Sequence, residues 1–161
     1  MNVPLRSGIC GDFGRQMAIS NSRQILYNVL SMARREIDGH SWVNDGGDDG
    51  VADWAGAMVR AGVPRAFIGI ITMYKHDAAV MRTILAERGL YGVEVSDSED
   101  DVETATVDAF QGREKKIIPI HFVAADPSGQ SGLGHIANAR RLCVAATRTQ
   151  EYQFFFGNIT H

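Results

Sequence analysis

Three stretches of this sequence carry side chains suited to chemistry on a charged ligand. The first is Asp108-Ala109-Phe110-Gln111-Gly112-Arg113-Glu114, which follows the β-branched run Thr104 to Val107 without a break. Gly112 lets backbone approach a ligand closely, Gln111 both donates and accepts, and Glu114 accepts hydrogen bonds from a sugar hydroxyl. The same spacing also fits a plain helix start capped by Asp108. The second stretch carries Arg140, Arg141 and Arg148. At about 100° per helical residue, positions seven apart nearly eclipse, so Arg141 and Arg148 are expected on one face, roughly 10 Å apart, within reach of one polyanion. Leu142, Ala146 and Cys143 would then pack on a sheet. A solvated basic face satisfies that pattern equally well. The third stretch is Thr72-Met73-Tyr74-Lys75, directly after the apolar run that ends at Ile71.

The surrounding pattern indicates what must position them. Residues 1–20 carry glycines and a proline and no sustained period, so they read as an irregular lead-in to a domain over 21–161. Ile25, Val29, Met32 and Ile37 fall near one helical stripe, which predicts a helix from Asn21 with Ser20 or Asn21 as cap. A second helix is predicted over Ala52 to Ala61, preceded by an acidic, glycine-rich stretch read as a solvated loop. A calcium loop starting at Asp45 fails, because Gly47 and Gly56 fall where oxygen ligands are needed. From Ala66 onward short β-branched or aromatic runs alternate with amphipathic helices. One of these helices, from His76 to Gly89, is predicted to turn Ala79, Ile84 or Met81 and Leu85 inward. Such alternation predicts an α/β fold, a parallel sheet with helices on both faces. Ligands of open parallel sheets gather beyond the carboxyl ends of the strands, and all three stretches are expected there.

Composition narrows the classes. With 45% hydrophobic and 22% charged residues the chain has the balance of an ordinary globular domain. Its two cysteines, Cys10 and Cys143, form no metal-ligand spacing, so neither a disulfide framework nor a metal site is expected, and a reducing, intracellular setting is. No apolar run is long enough for a membrane span. A net charge of −3 disfavours a dedicated basic nucleic-acid module but leaves local strand contacts possible.

Taken together and in this order, "IGIITMYK", "TATVDAFQGREKKIIPIHFV" and "NARRLCVAATRTQEYQFFFGN" resemble motifs IV, V and VI of superfamily 1 helicases. The nearest branch contains the nonsense-mediated-decay RNA helicase and related DNA helicases, and the string "VDAFQGREK" is its most specific element. The resemblance implies a RecA-like domain, the second of two, with ATP and Mg²⁺ held in the cleft between this domain and an N-terminal RecA-like half not in this chain. It implies that Gln111, Gly112 and Glu114 line the nucleotide side, that Arg148 is the arginine finger, and that Arg141 supports it or approaches the phosphates. It further implies that Thr72, Tyr74, Thr106 and Asp108 face single-stranded RNA or DNA, by hydroxyl contacts to phosphates and by stacking of the aromatic ring.

The sequence departs from the family pattern at Met73, where proline is usual, at Lys116, usually acidic, at Ala146, usually leucine, and at Gln150, usually arginine. Pro119 lies within a strand, where it cannot donate to a central ladder and should force a bulge or an altered strand edge. No Gly-Lys dipeptide occurs, so the chain has no phosphate-cradling loop of the G-x-x-x-x-G-K-[ST] type. The expected function is therefore the C-terminal half of an ATP-dependent helicase, completed in cis or in trans by an N-terminal half. A non-catalytic remnant that binds nucleic acid or protein is the alternative. An unrelated doubly wound nucleotide binder would need a glycine-rich turn after its first strand, and "GIITMYK" supplies none.

Overall fold

The structure, a computed structural model, describes residues 23–29, 33–35, 42–92, 101–123 and 139–157. The lead-in, the expected strand "VEV", the acidic loop after it and the glycine-rich loop before Ala139 lie outside the described residues. The described residues form seven strands: β1 (Gln24–Asn28), β2 (Arg34–Arg35), β3 (Trp42–Val43), β4 (Gly69–Thr72), β5 (Glu103–Thr106), β6 (Lys115–His121) and β7 (Thr149–Gly157). Three α-helices accompany them: α1 (Asp45–Arg60), α2 (Lys75–Glu87) and α3 (Ala139–Ala146). Five strands form one sheet in the order β1-β7-β6-β4-β5, and every pair in it is parallel. β2 and β3 form a separate antiparallel pair. This is the RecA-like α/β arrangement the sequence predicts.

Period-two side-chain alternation sends neighbours on each strand to opposite faces. Ile70, Ile117, Phe154 and Phe156 pack with Trp54, Met58, Met81 and Leu85 of α1 and α2. Ile71, Ile118 and Ile120 pack on the other face with Phe110 and Ala145. Both faces are thus covered, as an all-parallel sheet requires.

Three expectations need correction. The segment predicted as a helix from Asn21 contains the edge strand β1 instead. Its Tyr27 stacks on Phe154 and Phe156, with centroids 6.1 and 4.9 Å away, and pairing with β7 in register Leu26↔Phe155 overrides a marginal helical stripe. The acidic stretch before Ala52 is helix, not loop: Asn44 accepts the Gly47 N–H at 2.9 Å as N-cap, and Asp45 and Asp48 suit the positive end of the helix. In α2, Met81 and Leu85 face inward as predicted, but Ala78 rather than Ala79 is buried.

Pro119 stands in a central strand and does interrupt a ladder. β6 pairs with β4 at Ile71↔Ile120 and Thr72↔His121, then only through an isolated bridge at Ile68↔Ile117, so Gly69 and Ile70 have no partner on β6. The lost N–H is tolerated because β7 still pairs through Pro119↔Phe154.

Candidate functional site

The connection from β5 to β6 must pass over β4, which lies between them, and it runs from the carboxyl end of one strand to the amino end of the other. Phe110, fully buried, anchors it. A Cβ at Gly69 would come within 2.7 Å of both Phe110 Cζ and Lys115 Cγ, so only glycine on β4 lets the crossing lie this close. Arg113 covers the Phe110 ring at 5.2 Å and pairs with Glu103, which also meets Lys115 at 3.3 Å. Gly112 adopts φ +82°, the left-handed region that glycine occupies without strain, and leaves Gln111 exposed beside it.

The expected residues therefore divide between two ends of the sheet. Thr72, Thr106 and Asp108 sit at or just beyond carboxyl ends. Glu114 and Arg148 immediately precede β6 and β7, at the amino ends, because Lys115 pairs with Thr149 at the start of both strands. The expectation of one carboxyl rim fails for them: an eight-residue parallel crossover has to traverse the sheet.

At the amino end two segments are joined. The Lys115 N–H donates to the Arg148 carbonyl at 3.2 Å, and Gln150 Nε2 donates to Glu114 Oε2 at 3.3 Å. Arg148 is not on α3, which ends at Ala146, so it does not share a helix face with Arg141. Its guanidinium turns back on the preceding turn, Nε to the Val144 carbonyl at 3.1 Å and Nη2 to Thr147 Oγ1 at 3.0 Å. Arg141 instead grips Asp108. The packing face of α3 is Leu142, Val144 and Ala145, while Cys143 and Ala146 are exposed.

At the carboxyl end the Thr72 hydroxyl donates to the Tyr74 carbonyl at 3.1 Å, and both residues are buried. Tyr74 is 7% exposed and packs in the second core cluster, so its ring is not presented for base stacking. Thr106 Oγ1 accepts the Ala109 N–H at 3.3 Å.

One cluster escaped the sequence reading. Asp48 in the first turns of α1, Asp77 in the first turn of α2 and His121 at the end of β6 meet in the interior, each fully buried. His121 Nδ1 lies 3.1 Å from Asp48 Oδ1 and 3.4 Å from Asp77 Oδ2. Burial pushes the Asp48 carboxyl up to about 6 against the pull of His121. Burial works against the charged imidazole too, but the two carboxylates outweigh it and hold His121 up at about 9. The signal available in the sequence was Asn44 three residues before Gly47, a helix cap that places Asp48 on a buried turn.

Residues 10–160 match the family described as the AAA domain. The relatives include regulators of nonsense transcripts and a DNA replication helicase/nuclease. The chain is 37% identical over 99 residues to the regulator of nonsense transcripts 1 homolog of Neurospora crassa, covering 62% of this chain and 9% of that protein. It is 29% identical over 160 residues to the Drosophila melanogaster homolog, 96% of this chain and 13% of that one. The DNA replication ATP-dependent helicase/nuclease DNA2 of Bos taurus is 33% identical over 100 residues, 62% of this chain and 8% of the other. The chain belongs to this family, as a superfamily 1 helicase domain. The domain spans about a tenth of the length of these relatives. No described helix of the helicase domain is long and apolar enough to cross a membrane.

Proposed function

We propose that this domain is the C-terminal RecA-like half of an ATP-dependent nucleic-acid helicase, supplying motifs IV to VI to an N-terminal half that carries the phosphate loop. The observation that supports the reading is the junction at the amino ends of β6 and β7, where Glu114 and Lys115 are hydrogen-bonded to Gln150 and Arg148. It couples the turn that would hold the nucleotide to the residue that would serve as finger.

The residues there suit a nucleotide edge. Gly112 has no atom within 4 Å of where a Cβ would stand, so its backbone is open to close approach. Gln111 and Glu114 are exposed and offer donors and acceptors to ribose hydroxyls. Mg²⁺-ATP, when bound, supplies the phosphoryl group whose hydrolysis drives closing and opening of the two halves. Arg148 would place a permanent charge against that group after a rotamer change that releases the Val144 carbonyl. Asp108 and Thr106 lie toward the opposite rim, where a single strand of RNA or DNA would pass.

The test joins this domain to an N-terminal helicase half and measures strand-stimulated ATP hydrolysis. Arg148→Ala should lower the rate by about 10³-fold or more, with Arg140→Ala as control. Hydrolysis unchanged by Arg148→Ala would remove the finger assignment.

A second reading, a binding module without catalysis, is favoured by one observation: the Arg148 side chain is tied to its own turn, and the neighbouring position is Gln150 where the family carries arginine. It predicts oligonucleotide or protein binding by a domain that never stimulates hydrolysis.

A further inference from the structure

The interior cluster at the carboxyl end of β6 has no part in the nucleotide chemistry, and it sits about 20 Å along the strand from Arg148. Its chemistry is unusual for a core. Two carboxylates and one imidazole are each 0% exposed. Both oxygens of Asp48, both of Asp77 and both ring nitrogens of His121 lack a hydrogen-bond partner. Nδ1 makes buried ion-pair contacts with both carboxylates, at 3.1 and 3.4 Å, without hydrogen-bond geometry to either. Buried charge is costly even when paired, and polar atoms without hydrogen bonds in a core call for a ligand or a proton.

The three ligating atoms lie within 4.8 Å of one another. A four-coordinate ion with bonds of about 2.0 to 2.1 Å needs donor atoms roughly 3.3 Å apart. The distances from Nδ1, 3.1 and 3.4 Å, bracket that value. Two carboxylates and an imidazole that gives up its proton when the ion binds cancel a divalent charge. The second oxygens of Asp48 and Asp77 are also without partners, so either carboxylate can chelate to complete four ligands. One neighbour has been kept small to admit the ring: a Cβ at Gly47 would stand 2.4 Å from His121 Nε2.

We propose that Asp48, Asp77 and His121 form a buried structural site for a divalent transition ion of the zinc class, which fastens the first turns of α1 and α2 to the end of β6. A mixed nitrogen and oxygen set selects zinc, cobalt or manganese over magnesium and calcium, which take oxygen ligands. The site is independent of the helicase reading, since it would hold its ion in either half-enzyme or binding module.

The experiment uses the whole chain. Elemental analysis of the purified protein comes first, followed by EDTA treatment, dialysis and titration with CoCl₂ or ZnCl₂. Expected are one equivalent of cobalt with the intense visible absorption of a four-coordinate ion, and a rise in Tm of about 5 °C or more at saturating zinc. The same concentration of MgCl₂ should give no rise. His121→Gln, Asp77→Asn and Gly47→Ala should weaken zinc binding more than about 100-fold. His76→Ala, on the exposed face of α2, should leave it intact. The cobalt spectrum and the zinc-dependent Tm are read on the unaltered chain, so a variant that fails to fold does not blunt the test. A chain that binds no stoichiometric cobalt and melts at one temperature with zinc or EDTA holds its cluster by protons alone, which overturns the proposal. So does undiminished binding by a folded His121→Gln variant.

Discussion

The guanidinium of Arg141 holds the carboxylate of Asp108 by two hydrogen bonds, Nε to Oδ1 at 3.2 Å and Nη2 to Oδ2 at 2.8 Å. The pair links the turn after β5 to α3, residues 33 apart in sequence. It is a fork-to-carboxylate contact that lysine cannot reproduce.

Because the Asp108 side chain is 67% exposed, this pair contributes little to folding. Arg141→Lys and Asp108→Asn should each lower stability by less than about 1 kcal/mol in urea unfolding. In the assembled helicase both should reduce strand-stimulated hydrolysis, and the double variant should lose no more than the worse single. Additive losses would separate the two residues functionally.

Gly112 and Gly50 make a matched pair of glycines with opposite expectations. Each has open space where a Cβ would go, but Gly112 has φ +82° and Gly50 lies inside α1. Gly112→Ala should destabilise by about 1 to 2 kcal/mol, and Gly50→Ala should stabilise by about 0.5 to 1 kcal/mol. Denaturant midpoints measure both.

Gly69 answers to packing instead. Gly69→Ala drives a methyl against Phe110 and Lys115 and should cost about 1 to 3 kcal/mol. Phe110→Ala, which removes a fully buried ring, should cost about 3 to 5 kcal/mol. If the crossing is as tight as described, Gly69→Ala combined with Phe110→Leu should recover part of the single-variant loss.

Trp54 tests the core on the helix side of the sheet. Its ring is fully buried, 4.6 Å from the Phe154 centroid, so Trp54→Ala should cost about 3 to 5 kcal/mol. Trp54→Phe keeps the aromatic contact and should cost markedly less by the same unfolding measurement.

What the sequence made legible follows from local physics. The runs around Ile70, Thr104, Ile118 and Phe155 are short, β-branched or aromatic and bounded by turns, so each was readable as a strand. Met81 and Leu85 repeat at helical spacing, and α2 was readable for that reason. Residues Gln24 to Asn28 were not, because their strand exists only by pairing with β7, a partner more than a hundred positions away. The beginning of α1 was hidden by its composition: Asp45, Gly46, Gly47 and Asp48 resemble a loop until Asn44 is seen to cap them. The division of Glu114 and Arg148 from Asp108 came from strand order, and strand order leaves no mark on a linear pattern. The Asp48, Asp77 and His121 cluster draws on three separate elements, with no spacing that marks it.

Pro119 has a mechanical consequence. Beside it Gly69 and Ile70 lack partners on β6, so β4 and β6 are joined at the carboxyl end and by a single bridge lower down. Fewer residues pair across that seam than across any other junction of the five-stranded sheet.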